Sequence, residues 1–427
     1  MSSDIIDEFI ARARAITVAE AAVLCGFRVG AREHSGPCPA CGGRDRFSIN
    51  ARKQVFNCRG CNAAGGDGIG LMALVRGLDL GARAGFLEAC AAALGEPVPD
   101  GGERLTDAEH AASAARIEAR RAESARAALA SDERQAEFRR REVEKARGIY
   151  FGATDAGDDV LGYLFLRTGF DLPDGIFDNI RFIPMHALWH GADAFGRPRE
   201  VHCGPAMIAP FVAPDGTVTG CHETWLDLGC GPRYRPQIAD GEGGIVPSKK
   251  MRGTKRGSVI PVLGGLGARR WVLAEGIENV AAWAGLEGFR DDTFYGATGD
   301  IGNMAGPADP RSAFPHPELK TAKGRPQRVP GPVPKVDQQP GDAAQVPEHV
   351  AELLLIADGD SEHYFTMAAM ARAEARLARA GRVVGVCWPP ADADFSDISA
   401  SYRRMALDDD NGGWGGFAAD HAGRISP

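Results

Sequence analysis

From Trp271 onward the chain alternates short apolar runs with helix-like stretches, and this alternation constrains its fold more than any other feature. Residues 271–274, 293–297, 353–357 and 382–388 read as strands, and helical patterns follow the first and third of them over 277–286 and 361–380. Strands separated by helices pair in parallel, because a parallel return needs a crossover long enough to hold a helix. In an open sheet of this kind the carboxyl ends of the strands face one crevice, where ligands bind.

Two of these strands end in acids. Glu275-Gly276 follows the first run, and Asp358-Gly-Asp360 follows the third. Three carboxylates delivered to one crevice repel one another unless a cation sits among them. Hard divalent ions take oxygen ligands and keep several waters, which suits a site that also receives phosphate. Glu275, Asp358 and Asp360 therefore read as a Mg²⁺ or Mn²⁺ site for phosphoryl or nucleotidyl transfer. The competing reading is that each acid caps the helix after it.

Near the other end, Cys38-Pro-Ala-Cys41 and Cys58-Arg-Gly-Cys61 form two CxxC pairs separated by sixteen residues. That spacing matches a zinc ribbon, in which two knuckles meet across a hairpin and four thiolates hold one structural Zn²⁺. Residues 45–50 and 54–57 read as the hairpin strands; disulfide pairing is the alternative. Cys25, Cys90, Cys203, Cys221, Cys230 and Cys387 show no framework spacing. With neither a signal peptide nor a long apolar run, the expectation is a cytoplasmic chain with reduced thiols and no membrane span.

The formal net charge is -8, yet the basic residues cluster. Arg28, Arg32, Arg44, Arg46, Arg52, Lys53 and Arg59 surround the cysteines with only Glu33 and Asp45 against them. Between Glu242 and Glu275 every charge is positive: Lys249, Lys250, Arg252, Lys255, Arg256, Arg269 and Arg270. Local patches in an acidic protein suit a phosphate path; solvated surface charge is the bland alternative. Phe47 and Phe56 suit the ribbon core first and base stacking second.

The expected organisation is an α/β multidomain chain. Residues 1–97 form a zinc ribbon with flanking helices, and 98–148 an Ala/Arg/Glu-rich helical linker. Residues 149–268 form a mixed α+β segment carrying the second basic patch. Residues 269–405 form the parallel-sheet α/β domain, with 406–427 a flexible tail. Within 306–348 lie ten prolines, read as a loosely ordered insertion that adds no strand to the sheet.

The string Val272-Leu-Ala-Glu-Gly-Ile-Glu-Asn-Val-Ala281, with Ala357-Asp-Gly-Asp360, resembles the Toprim domain of phage, satellite-phage and plasmid primases. Cys38-Pro-Ala-Cys-Gly-Gly-Arg-Asp-Arg-Phe47, with Phe56-Asn-Cys58-Arg-Gly-Cys61 and Gly66-Asp-Gly68, is similar to the zinc-binding domain of the same group. The resemblance implies a zinc ribbon, a helical linker, a mixed α+β primase core and a Toprim domain, in that order. It implies a DNA primase, a nucleotidyltransferase that makes RNA on a single-stranded DNA template from ribonucleoside triphosphates, serving a phage, plasmid or other mobile element. Glu275, Asp358 and Asp360 would be catalytic and hold magnesium or manganese. Asp392, Asp394 and Asp397 fall where such primases carry a further acidic stretch, without indicating which one joins the site. Lys249, Lys250 and Arg252, with Lys255, Arg256, Arg44 and Arg46, would contact template or nucleotide. The sequence departs from the family in two ways: the ribbon is Cys₄ where the commoner cellular primases place a His second, and the insertion is long. No G-x-x-x-x-G-K-[ST] occurs, so unwinding would fall to a separate replicative helicase in a primosome. The alternatives are a Toprim nuclease and a non-catalytic single-stranded DNA-binding or recombination protein. A topoisomerase would need a nucleophilic Tyr in a separate DNA-binding domain, and none of the tyrosines has that setting.

Overall fold

The computed structural model describes residues 3–27, 34–58, 61, 63–99, 107–193, 195–240, 243–321, 324 and 326–408. Arg28, Arg32, Arg59 and the expected tail from residue 409 lie outside them. Residues 1–137 with 316–327 make one unit, and residues 138–315 with 328–427 a second.

In the first unit, α1 (Ser3–Arg14) and α2 (Val18–Leu24) precede a four-stranded antiparallel sheet. Thr17 and Glu20 start α2 with a capping box, each side chain satisfying a backbone N–H that the helix leaves open. The strands β1 (His34–Cys38), β2 (Gly42–Asn50), β3 (Val55–Cys58) and β4 (Ala64–Gly65) lie in sequence order. Asp67 caps α3 (Gly68–Arg76), and left-handed Gly95 ends α4 (Arg83–Leu94). Phe47, Ile49, Phe56, Leu71 and Val18 close the core between sheet and helices. The helix α5 (Asp107–Gly152) is 46 residues long, and its described side chains before Phe138 are exposed or half-buried. An Ala/Arg/Glu composition without a wide apolar stripe has little to bury.

The second unit holds two five-stranded sheets. In the first, β5 (Thr154–Asp155), β6 (Arg181–Ala192), β7 (Pro198–Val212), β8 (Val218–Trp225) and, after the β9 (Ile238–Ala239) and β10 (Ile245–Val246) pair, β11 (Lys249–Gly253) run in the order β11-β8-β7-β6-β5, all antiparallel. The basic stretch is thus an edge strand, a place where lysines discourage further strand pairing. Packed with this unit is α6 (Asp158–Thr168). The β6–β7 hairpin is longer than its sequence suggests, because bulges near Ile183, Leu188 and Trp189 break the alternation that would reveal it.

The second sheet is the one the alternation predicts. In chain order it has β12 (Ile260–Leu263), β13 (Arg270–Ala274), α7 (Ile277–Leu286), β14 (Thr293–Ala297) and α8 (Ile301–Ala305); after β15 (Phe314–Lys320) and β16 (Pro326–Val329), of which residues 316–327 belong to the first unit, come β17 (Glu352–Ile356), α9 (His363–Leu377), β18 (Val383–Cys387) and α10 (Phe395–Asp408). The order is β12-β14-β13-β17-β18, parallel except for β12; β15 and β16 form a separate two-stranded sheet. Alternate residues of β13 enter opposite cores. Val272 and Ala274 pack with Ile277 and Val280 of α7, and Trp271 and Leu273 with Met370 and Ala373 of α9. A strand buried on both faces reads as a continuous apolar run, which is why it was legible.

The described residues of 306–348 add no strand to the five-stranded sheet, and their carbonyls are tied to it by side chains of α9. Arg372 of α9 donates to the carbonyls of Gly306 and Gly331, and Arg376 to those of Met304 and Ala344. Proline-rich backbone has few N–H groups and many free carbonyls, and buried arginines supply the missing donors.

Candidate active site

The cysteines come together as their spacing requires. Strand β1 ends at Cys38 and β3 at Cys58, and all four sulfurs lie within 4.8 Å of one another. Cys38 and Cys61 are 3.8 Å apart at sulfur, and Cys41 and Cys58 3.5 Å. A disulfide needs about 2.05 Å, so these are thiols. A tetrahedron of sulfurs about 2.3 Å from zinc has edges of about 3.8 Å, so the set fits one Zn²⁺. Desolvation, then hydrogen bonds of the Cys41 S–H to the neighbouring sulfurs, push Cys41 up to about 12, and Cys61 is also raised, first by desolvation. Crowded thiolates need the cation. Phe47 and Phe56 are buried, which assigns them to the core and not to stacking. Arg46 is exposed; the Arg44 side chain lies outside the described residues.

In the second unit the acids follow from topology. Strand β13 connects onward to β14 on one side and β17 to β18 on the other, so the loops after β13 and β17 diverge and open a crevice between adjacent strand ends. Glu275 follows β13 and Asp358 follows β17, one on each side of it. Asp358, Asp360 and Asp394 bring carboxylate oxygens within 4.8 Å of one another. Glu275 is outside that tight group but feels it. Burial raises its carboxyl to about 7, and the charges of Asp358, Asp300 and Asp360 add to the effect against an opposing Lys249. Burial, then a hydrogen bond that the protonated Asp394 carboxyl donates to Asp358 and the Asp358 charge, lift Asp394 to about 8; burial and Asp358 also raise Asp360. Oδ1 of Asp394 is buried without a hydrogen-bond partner. An all-oxygen set with an orphaned buried acceptor fits a hard divalent cation.

The helix-capping alternative fails on geometry. The N-cap of α7 is Gly276, without a side-chain bond, and α9 is capped by Glu362. What seats Asp394 is Gly359. A Cβ there would lie 2.3 Å from the Ala393 carbonyl oxygen and 2.8 Å from both Pro389 and the Pro390 carbonyl, so only glycine lets the Asp-Gly-Asp turn press against the loop after β18. The Asp392 N–H closes that contact on the Gly359 carbonyl at 3.0 Å. Of the three later acids, Asp394 therefore joins the cluster; Asp397 lies 3.4 Å from Arg167 and Asp392 serves the turn.

The basic patch is less free than its sequence suggests. Lys249 donates to Glu278 at 2.7 Å, and Tyr163 donates to the same oxygen at 2.6 Å. Glu278 is buried, and its carboxyl is held well below the usual range by Lys249 and the Tyr163 hydroxyl against the cost of burial. Arg252 pairs at 2.8 Å with Glu223, a fully buried side chain that also meets His186 at 3.0 Å. Lys250 donates to the Trp189 carbonyl, and Lys255 pairs with Asp300. Arg256 is exposed. The alternative of freely solvated surface charge therefore fails for Lys249 and Arg252, which are half-buried and paired with buried carboxylates.

Sequence reasoning missed the surroundings of Lys249. Tyr163 and Arg167 from α6, Glu278 from α7 and His222 from β8, all buried, surround it together with the half-buried Arg235. Burial and nearby Lys249 lower His222 to about 3, so it stays neutral. Both amide atoms of Asn279 and Nε of Arg167 and Arg235 are buried without partners. The one available signal was the pair Glu278-Asn279, polar residues in the first turn of a helix that is otherwise apolar on all sides.

Among known families, a domain of unknown function (DUF7146) matches residues 140–262, which is less than half of the chain. No curated protein matches. Similar solved structures include the zinc-binding and RNA polymerase domains of the Aquifex aeolicus primase, at 14% identity over 94% of this chain and 84% of that one, with a TM-score of 0.33. A DNA primase domain from Pseudomonas aeruginosa is similar at 13% identity over 54% of this chain and 65% of that one, with a TM-score of 0.28. Superpositions this loose carry no argument, so function is argued from the site. Among the described residues no helix is long and apolar enough to cross a membrane.

Proposed function

We propose that the chain is a DNA-templated RNA primase, a nucleotidyltransferase with a Toprim acid site, serving a phage, plasmid or other mobile element. The observation that carries the reading is the acid cluster at diverging parallel strand ends, with Glu275 and Asp394 each raised by burial and by neighbouring carboxylates. Groups strained in this way are costly to keep unless they bind a cation. Asp358, Asp360 and Asp394, with Glu275 beside them, would hold Mg²⁺ or Mn²⁺, which stabilises the negative charge developing on a transferred phosphoryl group.

The chain's own cations complete the arrangement. Glu278, itself held by the Tyr163 hydroxyl, fixes the Lys249 ammonium, whose charge reaches Glu275, while the Arg233 charge reaches Asp360. These groups face the acids and suit the phosphates of a nucleotide lying across them. The zinc unit, with exposed Arg46, would engage the single-stranded template. Lys250 and Arg256 would extend the phosphate path, and unwinding would come from a partner helicase.

The test is incubation with single-stranded DNA, Mg²⁺ or Mn²⁺, and labelled ribonucleoside triphosphates. Short RNA products that vanish in Asp358→Asn support the primase. Shortened DNA supports the nuclease, and neither product supports a binding module.

A further inference from the structure

We propose that Trp388 and His363 form a nucleobase platform beside the acid crevice, an inference that rests on the nucleotidyl-transfer reading above. Strand β18 ends at Cys387, so Trp388 is the first residue beyond it, and His363 is the first residue of α9. Their ring centroids are 6.3 Å apart with planes inclined at 50°, and His363 meets the Tyr364 ring edge-on at 5.5 Å. Trp388 is 40% exposed, and Met367, one helical turn beyond His363, is 41% exposed.

The placement gives these side chains their meaning. Asp360 precedes His363 by three residues, and the loop that starts at Trp388 reaches Asp394. The two segments are clamped together where Gly359 packs beneath residues 389–393. The rings therefore ride on the same two loops that bring Asp358, Asp360 and Asp394 into one cluster. Large aromatic and thioether side chains lose free energy by facing water, so a group of them bordering a polar site marks a contact surface.

The acids fix the chemistry of the occupant. A nucleotide whose phosphates engage the acid site carries its base a few bonds away, and a partly exposed indole accepts any base because every base has a π-face. The base can belong to a free ribonucleotide or to a nucleic-acid strand; the ligand chemistry is the same.

The experiment uses the full chain, with Trp388→Ala and Trp388→Phe. Binding is measured for a labelled single-stranded DNA oligonucleotide, the same backbone without bases, and a ribonucleoside triphosphate with Mg²⁺. Trp388→Ala should weaken at least one base-bearing ligand about five- to a hundredfold, as loss of one stacked base does. Trp388→Phe should retain most of the affinity, and the abasic strand should bind parent and variant alike. Loss on the triphosphate alone assigns the platform to the incoming nucleotide, and loss on the oligonucleotide alone to a strand base. Equal binding of both base-bearing ligands by parent and Trp388→Ala overturns the platform in favour of a protein-docking patch and leaves the primase reading standing. An equal loss on the abasic strand also overturns it. A parent that binds neither ligand overturns the primase reading and the platform together.

Discussion

Glu275→Gln should stabilise the second unit, by an amount that depends on pH. Burial and the neighbouring acids raise the Glu275 carboxyl from 4.5 to about 7. At about 1.4 kcal/mol per unit, the folded state favours the protonated form by about 3 kcal/mol. A carboxyl raised in the folded state contributes stability that is fully present below its unfolded value and lost as pH rises through about 7. At pH 8, without divalent ions, the parent therefore carries a penalty of about 3 kcal/mol that the uncharged Gln does not. At pH 5 the difference should shrink below about 1 kcal/mol. All six tryptophans fall between residues 189 and 414, so tryptophan fluorescence during urea denaturation follows this unit without signal from residues 1–137. Added Mg²⁺ should stabilise the parent and narrow the gap, because a bound cation relieves the same repulsion. A variant less stable than the parent at pH 8, or a gap that does not change between pH 5 and 8, would refute the reasoning. Either result would mean that Glu275 is paired inside the fold.

Three further outcomes are expected. Cys58→Ala should abolish stoichiometric zinc, read by a chromogenic chelator after denaturation, and unfold the four-stranded sheet, while the tryptophan-reported transition stays in place; a chain purified without chelator that holds no zinc refutes the Cys₄ site. Gly359→Ala should cost about 1–3 kcal/mol, because the Asp-Gly-Asp turn must back away from residues 389–393, and should abolish RNA synthesis by separating Asp394 from Asp358; a fully active variant contradicts the packing. Lys249→Ala should cost about 3 kcal/mol by leaving the Glu278 carboxylate buried and unpaired, with partial recovery in the Lys249→Ala, Glu278→Gln double variant; an unchanged melting temperature would show that the pair is not buried in solution.

Local patterns made part of the molecule legible. Sixteen residues between two CxxC pairs fit a single metal centre because a hairpin of that length returns one knuckle to the other. The continuous apolar runs at 271–274 and 353–357 announced strands buried on both faces, and their terminal acids followed at once. The β6–β7 hairpin was understated because bulges scramble a period of two. The pairing of the proline-rich region was not legible, because composition does not show Arg372, Arg376 and Arg382 donating to its carbonyls.

What the sequence determined by itself is therefore what depends on residues near one another in the chain: strand and helix periods, the knuckles, and the position of acids just past strand ends. The tertiary structure alone decided which of Asp392, Asp394 and Asp397 meets Asp358, because that depends on Gly359 admitting one loop against another. It alone decided that Lys249 and Tyr163, 29 and 115 residues from Glu278 in the chain, both donate to its carboxylate. A charged residue's character is set by what desolvates and pairs it, and neither is written in its neighbours along the chain.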